Sequence, residues 1–110
     1  MNYLITGANG FLGNQLCQYL ETKQINYLAA VRSNPKNKQV ATGDLSTFNN
    51  WTELFTNIDV VIHTAAKAHD MSNSEDLKTT YTRVNLELTK NLAIAAKKNH
   101  VKKFIFISTI

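Results

Sequence analysis

Three glycines lie at regular spacing near the start of the chain, in the segment TGANGFLG. Gly7, Gly10 and Gly13 follow an apolar run and precede a stretch with helical periodicity, which places them in a turn between a strand and a helix. Glycine in such a turn allows the backbone to reverse sharply, to approach a diphosphate closely, and to pack the helix against the strand. Free N–H groups at the helix N-terminus would then bind phosphate oxygens. The pattern GxxGxxG therefore predicts a dinucleotide site, with an ordinary turn as the alternative interpretation.

Two charged residues are expected near this turn. Arg32 follows the apolar run NYLAAV, at a position where a site that selects NAD usually carries an acid. A guanidinium there favours a 2′-phosphate and so predicts a preference for NADP; the alternative interpretation is that Arg32 only stacks on adenine or faces solvent. Asp44, in the segment GDL, follows the third apolar run, where its carboxylate is either an acceptor for the adenine amino group or a solvated acid in a turn.

The elements that position these residues follow from alternating apolar runs and helical repeats. Apolar runs predict five strands, at residues 2–6, 26–31, 39–42, 58–66 and 104–108. Repeats of three and four residues predict helices at 11–23, at 47–56 and after the polar segment 67–79. Strands that alternate with helices, several of them apolar throughout, predict a parallel sheet with right-handed crossovers. The expected fold class is therefore α/β.

Composition excludes several classes of protein. The chain has 110 residues, 44% of them hydrophobic and 18% charged, as expected for one globular domain rather than a disordered tail or a disulfide scaffold. No apolar run approaches the roughly 18 residues that a membrane span needs, so we expect a cytoplasmic protein without a membrane partner. The formal net charge of +4 permits an anionic ligand, but the basic residues form no stripe with interleaved aromatics, so nucleic acid is not an expected partner.

The histidines and the single cysteine do not predict a metal or redox site. His63 lies inside a predicted strand and His69 in the segment beyond it, and neither has a Cys or Glu at ligand spacing on a helix. Cys17 lies in an amphipathic stretch with Leu16 and Leu20, which favours core packing. We therefore expect no metal-binding site.

Five segments, TGANGFLG, GDL, DVVIHTAA, VN and FIFIST, occur in one order along the whole chain. Through these five segments the chain resembles the extended short-chain dehydrogenases/reductases, specifically the NAD-dependent epimerase/dehydratase family. The likeness is greatest to nucleotide-sugar 4-epimerases and related dehydratases and reductases of surface-polysaccharide synthesis. It implies a Rossmann-like parallel sheet of order 3-2-1-4-5 with helices on both faces, a nucleotide-sugar substrate, transient hydride transfer at a sugar carbon, and a homo-oligomer.

The resemblance also implies roles for individual residues. The expected cofactor-binding residues are Gly7, Asn9, Gly10, Phe11, Leu12, Gly13, Arg32, Asp44, Leu45, Thr64, Ala65 and Ala66. Thr109 matches the family's catalytic Ser or Thr, with Ser108 as the neighbouring alternative. Asn85, an amide on the same predicted helix face as apolar residues, matches a supporting residue of the proton path. Leu88 stands where the family often has glycine, a departure that bears on how tightly this helix packs.

One part of the family's machinery is missing from the sequence. The reaction needs a Tyr followed four residues later by a Lys after the fifth strand, and no such pair follows before Ile110. We therefore expect residues 1–110 to be the amino-terminal NAD(P)-binding domain of a longer enzyme, truncated after the fifth strand, without the substrate domain and inactive alone. The alternatives are a non-catalytic NAD(P)-binding module and a reductase of the same superfamily. An apolar strand left at the sheet edge predicts self-association through residues 104–110.

Overall fold

The computed structural model of the chain describes residues 1–65 and 75–108. Its strands are β1 (Tyr3–Thr6), β2 (Tyr27–Val31), β3 (Gln39–Ala41), β4 (Val60–Ala65) and β5 (Lys103–Ser108). Its helices are α1 (Phe11–Thr22), α2 (Trp51–Leu54) and α3 (Glu75–Lys98). None of these helices is long and apolar enough to cross a membrane. The alternation of strands and helices confirms the α/β fold class.

The described strands form one parallel sheet in the order β3-β2-β1-β4-β5. β1 lies at the centre, where Ile5 is aligned with Ala29 of β2 and with Ile62 of β4. The predicted strand order is confirmed. Because all strands run in the same direction, their carboxyl ends meet at one edge of the sheet, where ligands bind in open α/β sheets. We call this edge the carboxyl edge.

Apolar side chains from alternate strand positions cover the two faces of the sheet. Leu4 and Val61 are fully buried on the face covered by α2 and α3, where Leu92 of α3 completes the contact. Ile5 packs on the opposite face against Leu20 of α1. Full burial of such a side chain contributes about 1.5–3 kcal/mol. These two apolar layers hold the sheet together and so fix the position of the carboxyl edge.

Two helices differ from their predicted bounds. The predicted helix 47–56 is shortened to α2, because Thr47 and Asn50 bond locally before the helix begins: the Thr47 hydroxyl donates to the carbonyl of Asp44, and the Asn50 amide donates to a carboxylate oxygen of Glu53. Thr and Asn side chains compete in this way with helical backbone bonds. α3 begins inside the segment predicted to be a polar loop, since EDLK includes residues of good helix propensity.

The connection between β2 and β3, residues 32–38, contains no helix. A cavity of about 410 Å³ therefore lies between α1 and the start of β3. Glu21 and Lys38 both line it and form an ion pair at 2.5 Å. The direct connection also brings the residues that follow β2 beside those that follow β3, as the hydrogen bond from the Gly43 N–H to the Arg32 carbonyl shows.

Candidate functional site

The glycine turn connects β1 to α1 at the carboxyl edge. Gly7 has a φ of +70°, a left-handed conformation that residues with a Cβ rarely adopt. A Cβ on Gly7 would also overlap the hydroxyl and the carbonyl oxygen of Thr64 in β4. The fold itself therefore requires glycine at position 7, because the turn lies directly against β4.

The hydroxyl of Thr64 holds this turn in place. It donates to the carbonyl oxygen of Thr6 at 2.8 Å, and the carbonyl oxygen of Gly7 lies 3.3 Å from it. Thr64 is buried, so a solvent molecule cannot easily replace these contacts. The side chain thus fixes the backbone of the turn relative to β4, a role that the sequence did not suggest.

Gly13 is buried in the first turn of α1. A Cβ at this position would overlap the carbonyl group of Gly7 and would lie 2.9 Å from the Cα of Ala8. Both neighbours are backbone atoms, so no side-chain rotation relieves the overlap. Gly13 is therefore also required by the fold, because it lets α1 pack onto the turn.

Gly10 differs from the other two glycines of the motif. It is exposed and has φ −77° and ψ 168°, an extended conformation open to any residue. A Cβ here would meet only the carbonyl oxygen of Gly7, at 3.3 Å. The ligand-free fold thus gives little reason for glycine at position 10. A diphosphate that approaches the backbone closely does give one, since a Cβ would fill the space in front of the helix.

The N-terminus of α1 carries free hydrogen-bond donors. The N–H of Asn14 donates to the carbonyl of Gly10 at 2.9 Å, and it is the first N–H of the helix with a partner among the described residues. The N–H groups of Phe11, Leu12 and Gly13 have no acceptor there, and Gly10 provides no side-chain cap. The first turn contains no acid. Three N–H groups and the positive end of the helix dipole therefore suit an anionic oxygen ligand.

Arg32 and Asp44 lie beside each other at the carboxyl edge, after β2 and β3. Nη2 of Arg32 is 3.3 Å from Oδ2 of Asp44, and both side chains are more than half exposed. The fold brings together two residues that the sequence analysis treated separately. The residue types alone did not predict that these two side chains contact each other.

Ser46 orients the Asp44 carboxylate and is a site residue that sequence reasoning missed. Its backbone N–H and its hydroxyl both donate to Oδ1 of Asp44, at 2.9 and 2.8 Å. These two bonds, and to a smaller extent Arg32, lower the pKa of the Asp44 carboxyl. The signal in the sequence was Asp followed two residues later by Ser, a spacing typical of an Asx turn.

His63 has a structural position beneath the site. Its Nδ1 shares a hydrogen bond of 2.5 Å with the hydroxyl of Thr6, and its ring stacks on Phe106 with centroids 5.4 Å apart. Burial lowers the pKa of His63 to about 4, so the imidazole is neutral at pH 7. Within the described residues, no group of three or more His, Cys, Asp or Glu side chains is placed to hold a metal ion.

The structure describes some of the remaining predicted site residues but not all of them. Ala65 ends β4 and is aligned with Ser108 at the end of β5, so both backbones reach the carboxyl edge. Ala66 and Thr109 lie outside the described residues. Asn85 is half-buried on α3, and its carbonyl accepts a bond from the Thr89 hydroxyl at 2.8 Å. No described residue forms a hydrogen bond with the Asn85 amide group, so its supporting role stays a prediction.

The exposed face of the turn contains the other residues of the predicted set. Asn9 and Phe11 are exposed, and Phe11 is 84% accessible, which is unusual for a large apolar side chain. Leu12 and Leu45 are half-buried. These side chains surround the N-terminus of α1 and the segment that follows β3, so an apolar ring could pack beside them.

A Tyr and a Lys with the spacing of the family's catalytic pair do occur elsewhere, at Tyr19 and Lys23. Both lie at the carboxyl end of α1, which is remote from the glycine turn at its amino end. Nζ of Lys23 is 5.8 Å from the centroid of the Tyr19 ring, and Tyr19 is 57% exposed. The pair is therefore a surface contact and not part of the site.

The fold and the glycine turn define a class of fold, the Rossmann-like parallel sheet with a glycine-rich turn between its first strand and first helix. The model of the NAD dependent epimerase/dehydratase family matches residues 3–110. The chain belongs to this family, which confirms the resemblance inferred from its five segments.

Individual relatives agree with this assignment. The chain is 36% identical over 112 residues to a UDP-glucose 4-epimerase of Vibrio cholerae, covering 97% of this chain and 34% of the relative. It is 30% identical over 124 residues to the human dTDP-D-glucose 4,6-dehydratase, covering 96% and 35%. Among solved structures, MoeE5 in complex with UDP-glucose and NAD superposes with a TM-score of 0.77 at 27% identity, over 96% of this chain and 36% of that one. The chain spans about a third of the length of the curated relatives it matches.

Proposed function

We propose that residues 1–110 are an NAD(P)-binding domain that serves a nucleotide-sugar epimerase or dehydratase. The observation that carries this proposal is Gly10: a Cβ there would meet only the Gly7 carbonyl oxygen, at 3.3 Å, yet the position stands before three N–H groups of α1 that have no acceptor among the described residues. A dinucleotide diphosphate fits both features. Membership of the NAD dependent epimerase/dehydratase family supports the same ligand.

Each part of the dinucleotide has residues suited to it. The N–H groups of Phe11, Leu12 and Gly13 would bind the diphosphate, with Gly7 and Asn9 forming the turn around it. Asp44 would accept a hydrogen bond from the adenine amino group beside Leu45. Thr64, Ala65 and Ala66 would lie along the ribose and nicotinamide, where small side chains leave room for a flat ring.

When bound, the cofactor would supply a hydride acceptor. The chain's own contribution to chemistry is smaller. The hydroxyl of Thr109, or of the neighbouring Ser108, would hydrogen-bond the sugar oxygen that loses its proton, and Asn85 would support the region of the fourth and fifth strands and the proton path. No Tyr-xxx-Lys pair follows the fifth strand within residues 1–110, so we expect these residues to bind cofactor without turnover.

The direct test is calorimetric titration of the purified protein with NAD and with NADP. We expect saturable binding of at least one dinucleotide, and a loss of affinity of about fivefold or more in Gly10→Asp. Lys98→Gln is the matched control, since it lowers the net charge by the same one unit on the exposed carboxyl end of α3. Absence of binding to the wild type, or equal loss in both variants, would refute the proposal.

The preference for NADP is a separate proposal and rests on Arg32. Its guanidinium is 73% exposed at the carboxyl edge, where a 2′-phosphate could reach it. Arg32→Ala should weaken NADP binding by at least tenfold. Equal wild-type affinity for both cofactors, together with no selective loss of NADP in the variant, would contradict this preference.

The substrate, assembly and location proposals rest on the relatives and on one surface. Relatives named for UDP-glucose and dTDP-D-glucose support a nucleotide-sugar substrate. Ile105 and Phe106 on β5 are 37% and 41% exposed, which supports self-association through this strand. Light scattering tests the assembly, where a monomer at high concentration would contradict it, and cell fractionation tests a cytoplasmic location.

A further inference from the structure

Each oxygen of the Asp44 carboxylate faces a donor of the chain. Oδ1 accepts two hydrogen bonds from Ser46, one from the backbone and one from the hydroxyl. Oδ2 faces Nη2 of Arg32 at 3.3 Å. Ser46 thus occupies Oδ1, so a new donor would approach Oδ2, where it meets the Arg32 guanidinium.

The backbone keeps Arg32 and Asp44 together. The N–H of Thr42 donates to the carbonyl of Val31, and the N–H of Gly43 donates to the carbonyl of Arg32, each at 2.9 Å. These bonds extend the pairing of β2 and β3 beyond the ends of both strands. The ion pair is therefore a property of the sheet edge and not of a freely moving loop.

We propose that Arg32 and Asp44 act together in selecting the cofactor. The Arg32 guanidinium weakens Asp44 as the hydrogen-bond acceptor for adenine until a 2′-phosphate binds the guanidinium instead. This inference rests on the proposed dinucleotide function. With NADP, the phosphate takes Arg32 and frees Oδ2 for the adenine amino group. With NAD, the adenine must compete with Arg32 for the same oxygen.

The coupling makes a prediction that an independent phosphate-binding arginine does not. Arg32→Ala should weaken NADP but strengthen NAD, because Oδ2 of Asp44 becomes available. Because exposed ion pairs are weak, the expected gain in NAD affinity is about two- to fivefold. Because both side chains are exposed, the substitutions should leave the fold intact.

The experiment is a double-mutant cycle on NAD affinity, measured calorimetrically for the wild type, Arg32→Ala, Asp44→Asn and the double variant. Arg32→Ala is expected to raise NAD affinity about two- to fivefold with Asp44 present, and to leave it unchanged in the Asp44→Asn background. Arg32→Gln, which keeps a polar side chain without the charge, should reproduce the gain.

The outcomes separate the two proposals. If NADP affinity falls in Arg32→Ala while NAD affinity is unchanged or lower, the coupling is wrong and the dinucleotide function stands. If the gain in NAD affinity persists in the Asp44→Asn background, Arg32 acts on NAD without Asp44 and the coupling is also wrong. If the wild type binds neither dinucleotide, the proposed function fails, and the coupling fails with it.

Discussion

Replacing Gly10 by aspartate should stabilise the fold while it removes the proposed ligand. Gly10 is the residue that precedes α1, its backbone is extended, and its place provides no side-chain cap. An Asp there can accept hydrogen bonds from the free N–H groups of the first turn. It also places a negative charge at the positive end of the helix dipole.

The gain in stability can be approximated from these parts. The cap contributes a few tenths of a kcal/mol over glycine, the dipole about 0.3–1 kcal/mol, and loss of glycine freedom in the unfolded chain about 0.4–1 kcal/mol. The contact of the new Cβ with the Gly7 carbonyl at 3.3 Å offsets part of this sum. A net gain of about 1 kcal/mol would raise the melting temperature by about 4–8 °C.

The loss in binding comes from the same carboxylate. It would occupy the N–H groups and repel a diphosphate at about 4 Å with about 1–4 kcal/mol, depending on local solvation. That energy corresponds to a loss of about five- to a thousandfold in dinucleotide affinity. Gly10→Ala, which adds the Cβ without the charge, should lie between the wild type and Gly10→Asp in affinity.

Calorimetric melting and titration of the same samples check both halves of this prediction. A Gly10→Asp variant that melts below the wild type would show that the fold itself needs glycine at this position. A variant that is stabilised but binds dinucleotide unchanged would show that the ligand does not use the α1 N-terminus. Either result would refute the division of roles among the three glycines.

Other substitutions test the contacts around the turn. Gly13→Ala should lower the free energy of unfolding by about 1–3 kcal/mol, because its Cβ overlaps the Gly7 carbonyl; a denaturation midpoint like that of the wild type would contradict this. Thr64→Val should cost about 1–2 kcal/mol through the lost hydroxyl bonds and should weaken NAD binding; urea titration and calorimetry measure the two effects. The pKa of His63 is about 4 in the fold and 6.5 in the unfolded chain. The unfolded chain therefore binds a proton first as pH falls, and the free energy of unfolding declines by about 3 kcal/mol between pH 6.5 and 4. His63→Gln should flatten the pH dependence of stability between these values, and an unchanged slope would count against burial as its cause.

The sheet could be predicted from the sequence because its signals are local. The apolar centre of β4, such as Val61 and Ile62, marks a strand covered on both faces, and the repeat ending at Leu20 marks the buried side of α1. Pairings over long distances leave no such signal. Thr6 and His63 are 57 residues apart, and only the alignment of β1 with β4 brings them into contact.

The candidate site shows the same limit at a finer level. The glycine spacing marks the turn, but it does not tell which glycine serves the fold and which serves a ligand. That distinction needs coordinates: Gly7 and Gly13 would overlap backbone atoms if they carried a Cβ, whereas Gly10 would not. A motif glycine is thus evidence for a ligand only at a position where the fold itself does not require glycine. In this chain that position is Gly10, beside three N–H groups without an acceptor in the part of the chain that the structure describes, so the dinucleotide proposal depends on one residue whose substitution the fold should survive.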